Sequence, residues 1–67
     1  MMLWFDAMKV IENGGKIVSP RLPDGSYVAG SQKSEGGLML MQADGSFEPW
    51  RPSGADQLSD NWELKDN

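Results

Sequence analysis

The sequence contains no cysteine and no histidine among its 67 residues. These absences exclude disulfide bonds, the thiol nucleophile, the commonest general base and the usual zinc ligands. Small domains generally support a thin hydrophobic core with disulfides, a metal or association with other chains. Association is the route that this composition leaves, so we expect an oligomer. We predict no enzyme activity, no cofactor and no metal site.

Carboxylates are the side chains that remain for acid–base chemistry. Asp56 and Asp60 stand four residues apart, which places them on one side of a helix. Such a pair can share a proton or hold a metal, but it is also the ordinary composition of a solvated helix face. We interpret the pair as part of a helix face and its cap.

Positive charge is scarce as well. Six basic residues stand against ten acidic ones, the net charge is -4, and like charges do not occur in runs. A nucleic-acid polymer or an anionic membrane binds to a broad basic face, so we expect neither as a partner. A small anionic ligand needs only one or two local cations, and Lys16, Arg21, Lys33 and Arg51 are available.

Long apolar runs are also missing. The longest one after the amino terminus is "LMLM" at residues 38–41, well short of the ~20 residues that span a bilayer. The first ten residues lack the basic start and apolar stretch of a signal peptide. We therefore expect a soluble protein, and the lack of cysteine fits a reducing cytosol.

Hydrophobic spacing predicts an α+β fold in one domain over residues 1–67, with a small antiparallel sheet. Apolar residues recur at helical spacing from about Leu3 to Asn13, and "NGG" then ends an amphipathic helix. Short strands are predicted in "KIVS", "SYVAG", "LMLMQ" and "NWEL". The final "KDN" is interpreted as a frayed tail.

Turn and cap signals connect these segments. Asp44-Gly45 predicts a hairpin with a type I′ turn, in which both residues have positive φ. "SQKSEGG" predicts a hairpin loop or a mobile flap. "LMLMQ" is apolar on both faces and predicts a strand covered on both sides, with Met39 and Met41 together on one face. That face or the leucine face can fill the core or close an oligomer interface. Ser53 and Asp56 form a capping-box pattern that predicts a short helix in "SGADQLSD".

The aromatic residues are the main candidates for binding. Trp4 and Trp62 are predicted to lie in the core. Trp50 stands between two prolines and beside Arg51, so it can stack a base while the guanidinium meets a phosphate. It can equally pack over the short helix or serve an oligomer. Tyr27 can offer its ring and hydroxyl to a ligand, or it can be an edge-strand aromatic with a wet tip.

Two segments, "FDAMKVIENGGKI" and "ADGSFEPWRPSGADQLSDNWEL", resemble the phage-encoded Thoeris anti-defence proteins of the second type. The family's closing pattern has two successive apolar positions near its end. Here Gln57 occupies the first of them and Leu58 the second. The loop "PRLPDG" lacks a tryptophan that family members usually carry, and "SQKSEGG" replaces a longer insertion. The closing pattern matches at Asp44, Gly45, Pro49, Trp50, Pro52, Ser53, Asp56, Asp60 and Trp62.

The resemblance implies a sponge that acts in the host cytoplasm. Such proteins are homo-oligomers, dimers or typically tetramers, that bind a cyclic ADP-ribose immune signal without cleaving it; some relatives are associated with cyclic dinucleotides. Nanomolar retention requires enclosure, so we expect the ligand between protomers. An acidic inhibitor that binds a host defence protein is the alternative. The candidate ligand-binding residues are Trp50, Arg51, Tyr27, Arg21, Ser53 and Asp56.

Overall fold

An antiparallel five-stranded sheet and two helices make up the fold. The computed structural model describes residues 2–32 and 36–65, and it confirms the predicted α+β class. No helix in these two ranges is long and apolar enough to cross a membrane. The elements in chain order are α1 (Trp4–Glu12), β1 (Lys16–Val18), β2 (Tyr27–Gly30), β3 (Leu38–Met41), β4 (Phe47–Pro49), α2 (Gly54–Leu58) and β5 (Glu63–Leu64).

The strands lie in the order β4-β3-β2-β1-β5. Strands β1 to β4 each pair with the next strand along the chain in successive antiparallel hairpins. Strand β5, which comes last, pairs with β1. Beyond β5, the Met2 N–H donates to the Trp62 carbonyl over 2.8 Å. The first described residue, Met2, therefore lies at the same edge of the sheet as β5.

The helix α1 covers one side of the sheet over β1, β2 and β5. Its Ala7 is completely buried, as are Ile17, Val28 and Trp62 below it. Ile17 pairs with Val28, and Val28 pairs with Leu40, so these side chains lie on the same side of three neighbouring strands. Burying each aliphatic side chain stabilises the fold by ~1.5–3 kcal/mol.

The predicted end of α1 is confirmed in detail. Gly14 has a φ of 84°, a conformation that glycine adopts without the strain of a side chain. Its N–H donates to the Ile11 carbonyl, and the Gly15 N–H donates to the Val10 carbonyl over 2.8 Å. This pair of bonds is the Schellman pattern, which satisfies the last carbonyls of a helix.

The hairpin at Asp44-Gly45 is present, but the predicted turn type is wrong. Gly45 has a φ of 90°, whereas no residue other than glycine has positive φ in the described chain. The Gly45 N–H donates to the Gln42 carbonyl, and the Gln42 N–H donates to the Ser46 carbonyl. The loop is therefore three residues long, with a glycine bulge after the turn. The Asp44 carboxylate accepts bonds from the Ser46 N–H (2.9 Å) and hydroxyl (2.6 Å), which stabilises this alternative.

The connection between β2 and β3 is a hairpin, as predicted. The Ser31 N–H donates to the Gly37 carbonyl over 2.9 Å and closes its base. The alternative prediction, a mobile flap in "SQKSEGG" at residues 31–37, falls in part on residues 33–35, which lie outside the described residues.

The leucines and the methionines of β3 point to opposite sides of the sheet, as predicted. Leu38 and Leu40 belong to the core under α1, while Met39 and Met41 point to the other side. In the described part of the chain neither helix packs on the methionine side. Met39 is nevertheless buried, with 7% of its surface exposed, and Met41 is half-buried, so the prediction of cover on both sides holds for all of β3 except Met41.

Candidate ligand site on the open face of the sheet

The three tryptophans form one cluster, in which Trp4 begins α1, Trp50 follows the edge strand β4 and Trp62 precedes β5 at the other edge of the sheet. Their ring centroids are separated by 6.1 Å for Trp4–Trp50, 5.4 Å for Trp4–Trp62 and 6.0 Å for Trp50–Trp62. These distances are typical of stabilising aromatic pairs. Trp62 is buried and the other two are half-buried, so the core predictions for Trp4 and Trp62 are confirmed. Trp50, for which the sequence left three roles open, packs against both.

Asp56 connects three parts of the chain. Its Oδ2 accepts bonds from the Ser53 N–H (2.9 Å) and hydroxyl (3.0 Å), and its own N–H donates to the Ser53 Oγ over 3.1 Å. The predicted capping box is therefore confirmed. Arg21, from the loop between β1 and β2, places its Nε 3.1 Å from the Asp56 Oδ1. The Trp62 Nε1 donates to the Asp56 carbonyl over 3.0 Å.

These contacts determine the ionisation of Asp56. Burial raises the pKa of its carboxyl group, but the Ser53 N–H, the Arg21 guanidinium and the Ser53 hydroxyl together lower the pKa below its ordinary value. Asp56 is thus a carboxylate with partners for both oxygens. Three of the predicted ligand residues, Arg21, Ser53 and Asp56, are brought together, and they bind one another.

Arg51, another predicted ligand residue, follows Trp50 directly in the chain. Its side chain is exposed, and its Cγ would lie 3.9 Å from a Cβ added to Gly36, in the connection between β2 and β3. The Trp50 carbonyl oxygen lies 4.0 Å from the same position, so both residues border the β2–β3 connection, while the Trp50 ring contacts the other two tryptophans.

Tyr27 lies on the opposite side of the sheet from α1, which we call the open face. The strand registers arrange its side chains in two rows that run across the strands. The Lys65 N–H donates to the Lys16 carbonyl and extends the pairing of β5 with β1 by one residue. The first row is Phe47, Met41, Tyr27, Val18 and Glu63; the second is Pro49, Met39, Ala29, Lys16 and Lys65.

Two lysines converge on the ring of Tyr27. The Nζ atoms of Lys16 and Lys65 lie 5.1 Å and 5.2 Å from the ring centroid. Both distances are within the range of cation–π attraction, in which the negative face of the ring attracts the ammonium group. We call these three residues the lysine–tyrosine cluster. It concentrates positive charge on a chain whose net charge is -4.

Three shallow hollows lie around this cluster. Lys16 itself lines a hollow of about 640 Å³ between the end of α1 and the connection between β2 and β3. The other two are smaller. One, of about 290 Å³, lies over Ala29, Met39, Met41 and Phe47. The other, also of about 290 Å³, reaches from Val18 and Lys65 to the loop between β1 and β2. Each of the two smaller hollows is near the lower limit of the volumes that small ligands occupy. Apolar surface on one side and cations in the centre suit a ligand that has both a planar ring and negative charge.

Sequence reasoning identified Tyr27 but missed Lys65. The frayed-tail prediction is wrong for Lys65, because its backbone pairs with Lys16 and its ammonium group reaches Tyr27. The other two residues of "KDN" lie outside the described residues. Alternation after Glu63 places Lys65 on one face of a strand, but only the pairing of β5 with β1 shows that Tyr27 lies on the same face.

Comparison with known proteins identifies no relative of this chain: no family model matches it, and no curated protein matches it. The resemblance to the Thoeris anti-defence proteins therefore stays a prediction.

Proposed function

We propose that this protein binds and sequesters a cyclic nucleotide signal of the cyclic ADP-ribose or cyclic dinucleotide class in the host cytoplasm, without cleaving it. The observation that carries the proposal is the lysine–tyrosine cluster, where two ammonium groups meet one aromatic ring on the open face. The site is the open face, with Tyr27 at its centre, and not the segment around Trp50.

The chemistry of the cluster matches the two parts of a nucleotide. A base can stack on an aromatic ring whatever its identity, because every base has a π face. The ammonium groups of Lys16 and Lys65 supply donors for phosphate oxygens. Met41 and Phe47 in the same row as Tyr27 extend the apolar surface for the remaining ring or ribose. The ring on which a base would stack and the lysines that would bind a phosphate are therefore adjacent.

Binding without turnover is the part of this proposal supported by composition and geometry. The chain has no histidine and no cysteine. The Asp56 carboxylate, which is the most enclosed candidate base among the described residues, already accepts bonds from Ser53 and Arg21. A retained ligand should thus be recovered unchanged.

Contacts with one open face bind too weakly to retain a ligand at nanomolar concentration, which requires a binding free energy of about -12 kcal/mol. Stacking on Tyr27 contributes ~1–3 kcal/mol, and a charge-assisted bond from each lysine contributes ~1.5–3 kcal/mol. The lost freedom of the ligand then costs at least several kcal/mol. A second layer over the open face is needed to exclude water and add contacts.

The test is native mass spectrometry and calorimetric titration against cyclic ADP-ribose isomers and cyclic di-GMP. We expect one of these to bind and to be released intact when the complex is heated. Tyr27→Leu and the double variant Lys16→Gln with Lys65→Gln should each weaken binding by at least tenfold. Lys9→Gln is the control for a lysine outside the cluster, because it removes one ammonium group from the exposed side of α1 and should leave affinity unchanged.

Three results would contradict the proposal. The first is equal loss of affinity in Lys9→Gln and in the cluster variants. The second is a loss of affinity only in Arg51→Gln, which would mean that the ligand binds at the segment after Trp50. The third is no binding across the panel together with stoichiometric capture of a host protein, which would favour a protein-binding inhibitor instead.

A further inference from the structure

The hollow beside Lys16 has a glycine-rich lining. Its volume of about 640 Å³ lies within the range that small ligands occupy. Because glycine has no side chain, a ligand can approach its backbone closely. Five of the chain's eight glycines line this hollow, which we call the glycine hollow: Gly14, Gly15, Gly30, Gly36 and Gly37.

The glycine hollow is continuous with the open face at the end of β2. Ala29, Gly30 and Ser31 line both this hollow and the apolar hollow on the open face. Lys16 lines the glycine hollow as well, and its ammonium group lies 5.1 Å from the ring centroid of Tyr27. One ligand can therefore contact the ring, the lysine and the glycine hollow together.

The end of α1 gives the glycine hollow hydrogen-bond acceptors. The carbonyls of Val10 and Ile11 already accept bonds from the glycines that follow the helix, whereas the Glu12 carbonyl accepts no backbone bond in the two described ranges. Glu12 lines the hollow and is exposed, and the carbonyl end of a helix carries a partial negative charge. This end of the hollow suits neutral groups that donate hydrogen bonds, such as sugar hydroxyls.

The position of Glu12 does not favour the helix. It is the last residue of α1, where a carboxylate is repelled by the negative end of the helix dipole. Within the described residues no cation pairs with it. Asp6, in the first turn, has the favourable placement. Stabilisation of the helix therefore does not explain the charge of Glu12.

From these features we infer that the glycine hollow binds the second ribose of the nucleotide and that the Glu12 carboxylate accepts a hydrogen bond from a hydroxyl of that ribose. The inference rests on the proposed function. Cyclic ADP-ribose and the cyclic dinucleotides each contain two riboses joined through phosphate. With one base on Tyr27 and the phosphate on Lys16, the ribose beyond the phosphate reaches the hollow. A carboxylate binds ribose hydroxyls in the same way in dinucleotide-binding folds.

The first test follows the glycine amides directly. In protein labelled with ¹⁵N in glycine alone, the amide signals are recorded during titration with cyclic di-GMP and with cyclic ADP-ribose. The signals of the five lining glycines should shift, while Gly45 and Gly54, which line none of the three hollows, are internal controls. Absence of a selective shift with both probes at millimolar concentration would overturn the inference.

The second test isolates the hydroxyl contact. The analogue of the better-binding probe that carries 2′-deoxyribose should bind to the original protein about three- to tenfold more weakly. This difference should disappear in Glu12→Gln. Glu48→Gln is the matched control, because it makes the same change at an exposed position of β4 outside the three hollows, and it should keep the difference. Glu12→Gln should also melt no lower than the original protein, since it removes a charge that opposes the helix dipole.

The inference and the proposed function fail separately. If Tyr27→Leu weakens binding but the five glycine signals stay in place, the open face binds the ligand and the glycine hollow does not. If those signals shift and Tyr27→Leu has no effect, the hollow is a binding site and the open face is not. A preference for ribose that persists in Glu12→Gln would overturn the role of Glu12.

Discussion

The indole Nε1 of Trp62 donates a 3.0 Å hydrogen bond to the backbone carbonyl of Asp56. This bond joins the completely buried side chain of Trp62 to a helix, α2, that is only five residues long. Isolated helices of that length are unstable in water. The position of α2 therefore depends on its cap, on the Arg21–Asp56 ion pair and on this indole.

Replacing Trp62 with phenylalanine should test that dependence. Trp62→Phe keeps an aromatic ring in the core but removes the indole N–H and leaves the Asp56 carbonyl without that donor. We expect a loss of about 1–3 kcal/mol in the free energy of unfolding, measured by urea denaturation. Trp50→Phe is the matched control at a half-buried position, and we expect a smaller loss there. Equal effects of the two substitutions would show that the bond contributes nothing measurable.

The N-cap of α2 provides a second test. Ser53→Ala removes the hydroxyl that accepts from the Asp56 N–H and donates to the Asp56 carboxylate. The expected loss is about 0.5–2 kcal/mol. Ser53→Thr keeps the hydroxyl and should retain most of the stability. If both variants unfold at the same urea concentration, the side chain acts through something other than its hydroxyl.

Acid should weaken the same region. Because the pKa of Asp56 lies below its ordinary value of 3.8, the folded state binds its proton less tightly than the unfolded state does. The resulting stability is present above the unfolded pKa and is lost as pH falls through the folded pKa. Asp56→Asn should therefore be less stable than the original protein at neutral pH and change less with acidification.

The measurement is the melting temperature of both proteins from neutral pH to below the lowered pKa. The pKa of Asp44 is also lowered, by its bonds to the side chain and backbone of Ser46, but that contribution is common to both proteins. The difference between the two curves should shrink in acid. A difference that stays constant would mean that the charge of Asp56 is not what stabilises α2.

Local patterns predicted most of the fold. The end of α1 at "NGG", the alternation in "LMLMQ" and the capping box of Ser53 with Asp56 all depend on residues close in sequence, and all were confirmed. The candidate site was not predictable in the same way. Lys16 and Lys65 come from opposite ends of the chain, and their approach to Tyr27 depends on the pairing of β5 with β1.

The packing of Trp50 likewise could not be predicted from the residues next to it. Its two flanking prolines and neighbouring Arg51 left roles in binding, in packing and in an oligomer equally open, because the sequence offers no sign of which side the ring faces. The fold turns it toward Trp4 and Trp62. The packing of the Trp50 ring thus depends on long-range contacts, whereas the helices and strands could be predicted from local patterns.

Gly45, in the turn between β3 and β4, can be compared with Gly54, at the start of α2, because the two glycines differ in backbone conformation but have equally open surroundings. Gly45 has a φ of 90°, while Gly54 at the start of α2 has no positive φ, and a Cβ added at either position meets nothing within 4 Å. Gly45→Ala should therefore destabilise the protein by about 1 kcal/mol or more, because an alanine is strained in that conformation. Gly54→Ala should be neutral or stabilise by about 0.4–1 kcal/mol, since alanine favours helix and restricts the unfolded chain. Thermal melts of the two variants would give shifts of opposite sign. A matching shift in both would mean that the loop adopts another turn in which residue 45 has negative φ.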